Sequence, residues 1–244
     1  MAYTAEFSAV KGLDEATRAR LVHLYLDHYE SSNVARVLCD LSTKQEVLLL
    51  YHDKELVGFT TLEFYPFSWR GQTVHIVFSG DTVVDRGHWG QQTLAFRWIE
   101  RIGQLKAEHP DQPLYWFLIV KGHRTYRYLP AFSKSFYPHW SIDRGDLKPL
   151  ADALAEAKYG SNYNPATGVV EFAVSHGHLK PEIAFPTKEE RAKPAVQFFL
   201  DRNPGYLEGH ELVCLCEIEE TNMKPLTRRL FRKISDDRVL AATG

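Results

Sequence analysis

The stretch SGDTVVDRGHWGQQTLAFRWIERI, residues 79–102, sets the reading of the whole chain. An apolar, strand-like run gives way to a polar loop with Gly87 and Gly90, and then to a helix. Leu94, Trp98, Ile102 and Leu105 recur on one face of that helix. Backbone amides at such a junction lack helical partners and sit at the positive end of the helix dipole, which suits them to a phosphate. The two glycines would equally serve a plain strand-to-helix turn, because glycine adopts positive φ without strain.

Working upstream, VLLLYHDKELVGFTTLEFYPF (47–67) predicts a strand, a turn at 52–54 and a second strand. TVHIVFSGDTVV (73–84) predicts a third after the turn at Arg70–Gly71, and the short connections make the three antiparallel neighbours. Ahead of them, residues 13–30 read as a helix capped by Asp14, and residues 33–41 as a shorter helix. Downstream, the long helix ends before His109–Pro110. PLYWFLIV (113–120), apolar on both faces, predicts a buried central strand. KGHRTYRYLPAFSKSFYP (121–138) predicts a loop, a short helix and a turn. LKPLADALAEAKYG (147–160), AVQFFLDRNPGY (195–206) and KPLTRRLFRKI (224–234) read as helices, with VVEFAVS (169–175) and HELVCLCEIE (210–219) as late strands. The order predicts an α+β fold, a central mixed, mostly antiparallel sheet flanked by helices. It is read as one domain over 1–244, with a C-terminal extension or insertion at 140–210.

Composition narrows the function classes. Hydrophobic residues make up 44% and charged residues 25%, enough for a real core, and the net charge of −2 argues against wrapping nucleic acid. No apolar stretch reaches membrane-spanning length and the N-terminus lacks the build of a secretory signal. Three cysteines, Cys39, Cys214 and Cys216, make no paired framework and point to a reducing, cytoplasmic compartment. No metal is expected: Cys214 and Cys216 share a strand face without a second ligand pair, and His176 and His178 have no acidic partner nearby in sequence.

Three stretches, VLLLYHDKELVGFTTL, IVFSGDTVVDRGHWGQQTLAFRWI and YWFLIVKGHRTYRYLPAFSKSFYP, resemble the GNAT superfamily of acyl-CoA N-acyltransferases. They correspond to its second and third strands, its fourth strand with pyrophosphate loop and third helix, and its fifth strand with fourth helix. The resemblance implies acetyl-CoA or another acyl-CoA as donor substrate. It also implies a splay between the fourth and fifth strands that takes the pantetheine arm, and direct attack by the primary amine of a small molecule or peptide. By that resemblance Thr82, Val83 and Val84 offer backbone bonds to pantetheine, and Arg86, Gly87 and Gly90 form the diphosphate loop. The loop departs from the superfamily pattern of Arg or Gln, two free positions, Gly, one free position, then Gly or Ala. In one register those positions hold Trp89, Gln92 and Leu94; registered on Arg86, the fourth and sixth hold Trp89 and Gln91.

Three cations follow the buried strand, and Lys121, His123 or Arg124 would neutralise a diphosphate there. Amide formation needs a base for the ammonium proton and an acid for the leaving thiolate. Asp81 and His75 stand level as candidate bases, with Glu63 behind them. Tyr128 is placed ahead of Tyr126 and Tyr137 as the acid. Phe64, Tyr65, Phe67 and Trp69 suggest either core or a pocket for a longer acyl chain. The basic run Arg228, Arg229, Arg232 and Lys233 suggests either an acyl carrier protein partner or a solvated helix face. The degenerate loop keeps two alternatives open, an acyl-carrier-protein donor and a non-catalytic binding module of the same fold.

Overall fold

The computed structural model describes residues 2–242, with side chains through residue 233. In chain order the elements are β1 (Tyr3–Ala9), α1 (Glu15–His28), β2 (Tyr29–Glu30), α2 (Val34–Ser42), β3 (Glu46–His52), β4 (Glu55–Trp69) and β5 (Gln72–Val84). There follow α3 (Thr93–Glu108), β6 (Leu114–Val120), α4 (His123–Tyr126), α5 (Tyr128–Phe132), α6 (Lys148–Tyr159), β7 (Tyr163–Asn164) and β8 (Val169–Val170). The chain continues through β9 (His178–Leu179), α7 (Pro181–Ala184), α8 (Lys188–Arg191), α9 (Pro194–Arg202), β10 (Glu211–Glu217) and α10 (Pro225–Ala242).

Eight strands form one sheet in the order β1-β3-β4-β5-β6-β10-β8-β7, antiparallel except for β5 and β6. Parallel neighbours cannot be joined by a tight turn, and α3 supplies the crossover. The expected mixed, mostly antiparallel sheet flanked by helices is thus present. Three apolar clusters hold it. Leu48, Leu50, Leu62 and Val77 face α3, α5, α9 and α10 on one side. On the other side Val47, Leu49, Phe59 and Val83 lie under α1 and α2, while Ile76, Phe78, Phe117 and Leu215 lie under α6. Phe59, Phe117 and Phe199 are essentially sealed from water, each worth about 1.5–3 kcal/mol of transfer free energy.

Two sequence expectations need correction. β1 pairs with β3 along its whole length, although the reading placed no element there. Its alternation of Tyr3, Ala5 and Phe7 with Thr4, Glu6 and Ser8 was the available signal. Of the strand expected at 169–175, only Val169–Val170 pairs, because the chain then leaves the sheet to wall a cavity.

The feature that positions the site is a bulge. β4 pairs Thr60 with Thr82 but Leu62 with Ser79, so Thr61 alone faces both Gly80 and Asp81. Beyond it β5 turns away from β6, whose pairing ends at Ser79–Leu118, and residues 80–84 pair with no strand on that side. A Cβ on Gly80 would run into Thr61 Oγ1 and come within 2.8 Å of Lys44 Cε, so a side chain at the bulge forces these neighbours to shift. We predict that Gly80→Ala lowers stability by about 1–3 kcal/mol, read from the urea midpoint. An unchanged midpoint would show that the bulge tolerates a side chain.

Candidate active site

The opening between β5 and β6 connects two cavities that meet at Thr82 and Thr125, which line both. One, about 450 Å³, is walled by α1, α2, α6 and the chain around Phe172–His176, and is here termed the carboxylate cavity. The other, about 540 Å³, lies against the start of α3, the α4–α5 turn and α7, and is termed the loop cavity. A recess of about 40 Å³ opens at the neck between Leu94, Trp98, Trp116 and Phe132.

Asp81, displaced by the bulge, lines the carboxylate cavity. Burial, and next the charge of Asp40, push its carboxyl up to about 7, against the pull of Lys121 and Lys44. No hydrogen bond or ion pair to another described residue holds it. The lysines around it are paired. Lys44 lies 2.9 Å from Asp40 and 3.3 Å from Glu63, Lys158 lies 3.0 Å from Glu63, and Lys121 lies 3.3 Å from the buried Glu211. Burial alone would lower Lys121, but Glu211, Tyr29 and Asp81 outweigh it and keep the ammonium charged. Glu211 has no sequence motif; only the antiparallel pairing of β10 with β6 brings it beside Lys121.

The other two candidate bases lie elsewhere. His75 is six residues from Asp81 on the same extended strand and lines neither cavity. Its ring packs against His109 at 4.0 Å and Phe64 at 5.0 Å, and burial, then His109, lower its pKa. Glu63 is engaged by Lys44 and Lys158 and reaches the cavity only through them.

At the neck Tyr128 lines both the recess and the loop cavity, its ring against Phe132, and burial raises its pKa. The alternative tyrosines are structural. Tyr126 is sealed and donates to the Pro138 carbonyl at 2.7 Å, and Tyr137 is bonded through its backbone to Leu215. Phe64 packs against His75, and Tyr65, Phe67 and Trp69 pack under α6, so none of these aromatics reaches the cleft.

Thr82, Val83 and Val84 line the loop cavity. The Val84 carbonyl is already taken, accepting from His28 Nε2 at 2.9 Å and Trp89 Nε1 at 2.8 Å. In the loop, Asp85 caps a single turn by accepting from the Gly87 amide at 3.0 Å, and Arg86 pairs with Glu182 at 2.9 Å. Arg86 and Gly87 therefore stand outside the cavity lining, whereas Gly90, with φ of 90°, lies in it. Among the described residues, the amides of Gly90, Gln92 and Thr93 have no recorded hydrogen-bond partner, and they stand at the start of a helix of 16 residues. This second half of the loop is the feature that the departed pattern concealed.

The three candidates for neutralising a diphosphate, Lys121, His123 and Arg124, separate. Lys121 faces the carboxylate cavity. His123 is sealed, and burial, then Arg124, lower it to about 4, which leaves it neutral. Arg124 lines the loop cavity, stacked 4.7 Å over the Trp89 ring and paired with Glu190 at 3.1 Å, and Arg127 lines it too, 3.5 Å from the same carboxylate. His176 stacks on Phe172 and His178 pairs with Glu30. Among the described residues no group of three or more His, Cys, Asp or Glu could hold a metal ion, and no helix is long and apolar enough to cross a membrane. At the C-terminal helix Arg232 pairs with Glu220 and Lys233 with Glu100.

The raised Asp81 carboxyl has a consequence for stability. Between its ordinary value of 3.8 and about 7 the folded protein holds a proton that the unfolded chain has released, so this group lowers stability as pH rises through that window. We predict that Asp81→Asn gains more stability at pH 8 than at pH 5, on the order of 1–3 kcal/mol, by urea unfolding at both values. An equal effect at the two pH values would place the Asp81 carboxyl in its ordinary range.

No family model and no curated protein matches the chain. By structure it is similar to a conserved protein of unknown function from Enterococcus faecalis V583, a probable N-acyltransferase. The identity is 10% and the TM-score 0.43, over 64% of this chain and 43% of that one, so less than half of that protein's length is matched. It is also similar to the GNAT family N-acetyltransferase YhbS from Escherichia coli in complex with CoA, at 16% identity and a TM-score of 0.38, over 54% and 70% of the two chains. A chain of the NatC complex bound to Gag peptide and CoA gives 15% identity and a TM-score of 0.41, over 54% and 85%. In this chain three antiparallel strands, a bulged strand running through a loop into α3, and a parallel partner that splays from it before a short helix make up the mixed, mostly antiparallel α+β arrangement expected from the sequence.

Proposed function

We propose that the protein is an N-acyltransferase, moving an acyl group from an acyl-CoA to a primary amine by direct attack. The observation that carries this reading is the neck at Thr82 and Thr125. There a cavity holding an unpaired carboxyl with a pKa near 7 meets a cavity holding free helix-start amides and a tyrosine. The donor occupies the loop cavity, with its diphosphate on the amides of Gly90, Gln92 and Thr93 and beside Arg124. The acceptor amine occupies the carboxylate cavity. Its nitrogen attacks the thioester carbonyl carbon and forms the C–N bond. Asp81 takes the ammonium proton, the C–S bond breaks, and Tyr128 protonates the leaving thiolate. A carboxyl titrating near 7 is matched to that task at neutral pH. The narrow recess at the neck favours a short acyl group.

A second reading keeps the chemistry and changes the donor. Arg86 and Arg124 are each paired with a carboxylate, Glu182 and Glu190, which favours a donor offering pantetheine without the nucleotide, as an acyl carrier protein does. Native mass spectrometry with a panel of acyl-CoAs separates the two, since an added mass of one acyl-CoA supports the nucleotide donor. No adduct at any chain length leaves the carrier protein.

For turnover, followed as release of free thiol, we predict that Asp81→Asn lowers kcat by about 10²–10⁴-fold. Tyr128→Phe should lower kcat about 10–100-fold with little change in KM for the donor. In the wild type, kcat/KM should rise with pH through about 7 as Asp81 loses its proton. Full activity of Asp81→Asn would remove it as the base.

A further inference from the structure

Four cations line the carboxylate cavity, Arg36, Lys44, Lys121 and Lys158. Each lysine has a carboxylate beside it, as described above. Arg36 does not. Its Nη1 donates to the Ser175 carbonyl at 3.0 Å, and no carboxylate among the described residues lies within ion-pairing distance of its guanidinium. A guanidinium has five N–H donors in a planar fork suited to a carboxylate or phosphate, so most of its bonding capacity is unused.

The surroundings of Arg36 match it. The Ser32 hydroxyl, four residues earlier, is buried beside the Tyr25 hydroxyl. The chain at 175–177 packs against both, since a Cβ on Gly177 would lie 3.3 Å from Ser32 Cβ. Between Ser175 and Gly177, His176 is held flat on the Phe172 ring at 3.9 Å. Burial, then Arg36 and Lys121, lower its pKa, so it is a neutral donor beside two positive charges. Arg36 and His176 thus bring donors to the cavity that holds Asp81.

We propose that these donors receive an anionic group of the acceptor, so that the substrate is a compact amine that also carries a carboxylate or phosphate, its amine at Asp81 and its anion at Arg36. The proposal rests on the assignment of this cavity to the acceptor. The volume of about 450 Å³ suits a small molecule.

Matched pairs test it: L-phenylalanine against phenethylamine, L-leucine against isoamylamine, L-lysine against cadaverine, and glucosamine 6-phosphate against glucosamine. Binding is measured by calorimetry on the full chain without donor, which needs no turnover. The expected result is a preference of about 10–100-fold for the anionic member of at least one pair. That preference should collapse toward one in Arg36→Met and be partly retained in Arg36→Lys. Preference in the amino-acid pairs identifies a carboxylate, and preference in the sugar pair identifies a phosphate. Equal affinities within every pair, a preference unchanged in Arg36→Met, or no binding of any probe would overturn the proposal. Selective binding combined with absence of thiol release from every thioester, acyl-CoA or carrier-bound, would overturn the acyltransferase reading instead and leave the ligand class standing.

Discussion

A single mismatch in strand pairing organises the molecule. Because one residue of β4 faces two of β5, the ladder that would have continued between β5 and β6 stops at Ser79 and Leu118. A continuous sheet has no opening, and its backbone donors and acceptors are consumed in ladders. Here the sheet opens without coming apart, since β5 remains paired with β4 and β6 with β10. The cost is local and is carried by a residue without a side chain at Gly80, while the stability resides in the three apolar clusters on the two faces.

The same bulge explains the electrostatics. Moved off the strand alternation, Asp81 reaches the cavity without reaching a cation closely enough to pair with it. Lys44, Lys121 and Lys158 are nearby but committed to Asp40, Glu63 and Glu211. Those pairs do two things at once. They keep the partly desolvated Lys44 and Lys121 charged, and they spare the Asp81 carboxyl the contact that would hold it permanently ionised. A free lysine there would have made Asp81 an ordinary salt-bridged carboxylate.

Much of this was legible in the sequence, and what was not has a physical reason. Period-two alternation and turn residues gave β3, β4 and β5, and helical periodicity with Asp14 as cap gave α1 and α3. That Asp81 and Tyr128 line cavities follows from the strand and the helix that carry them. His75 ranked level with Asp81 because intrinsic pKa is a property of the residue, whereas distance along a strand matters only once the cavity is located. Arg86 was chosen for its charge, yet Glu182, 96 positions later, occupies it, and nothing local foretells such a partner. Lys121 follows β6, Glu211 begins β10 and Arg36 lies on α2, and only tertiary structure brings them around one space.

The cysteines, dismissed above as a framework, have a practical meaning. Cys214 and Cys216 are sealed inside the sheet with their thiols held protonated by burial, while Cys39 is exposed on α2, between Arg36 and Asp40 of the cavity wall. The native protein therefore has one thiol open to labelling, and it stands on the helix that borders the carboxylate cavity. A fluorophore or spin label placed there would report occupancy of that cavity without any engineered residue.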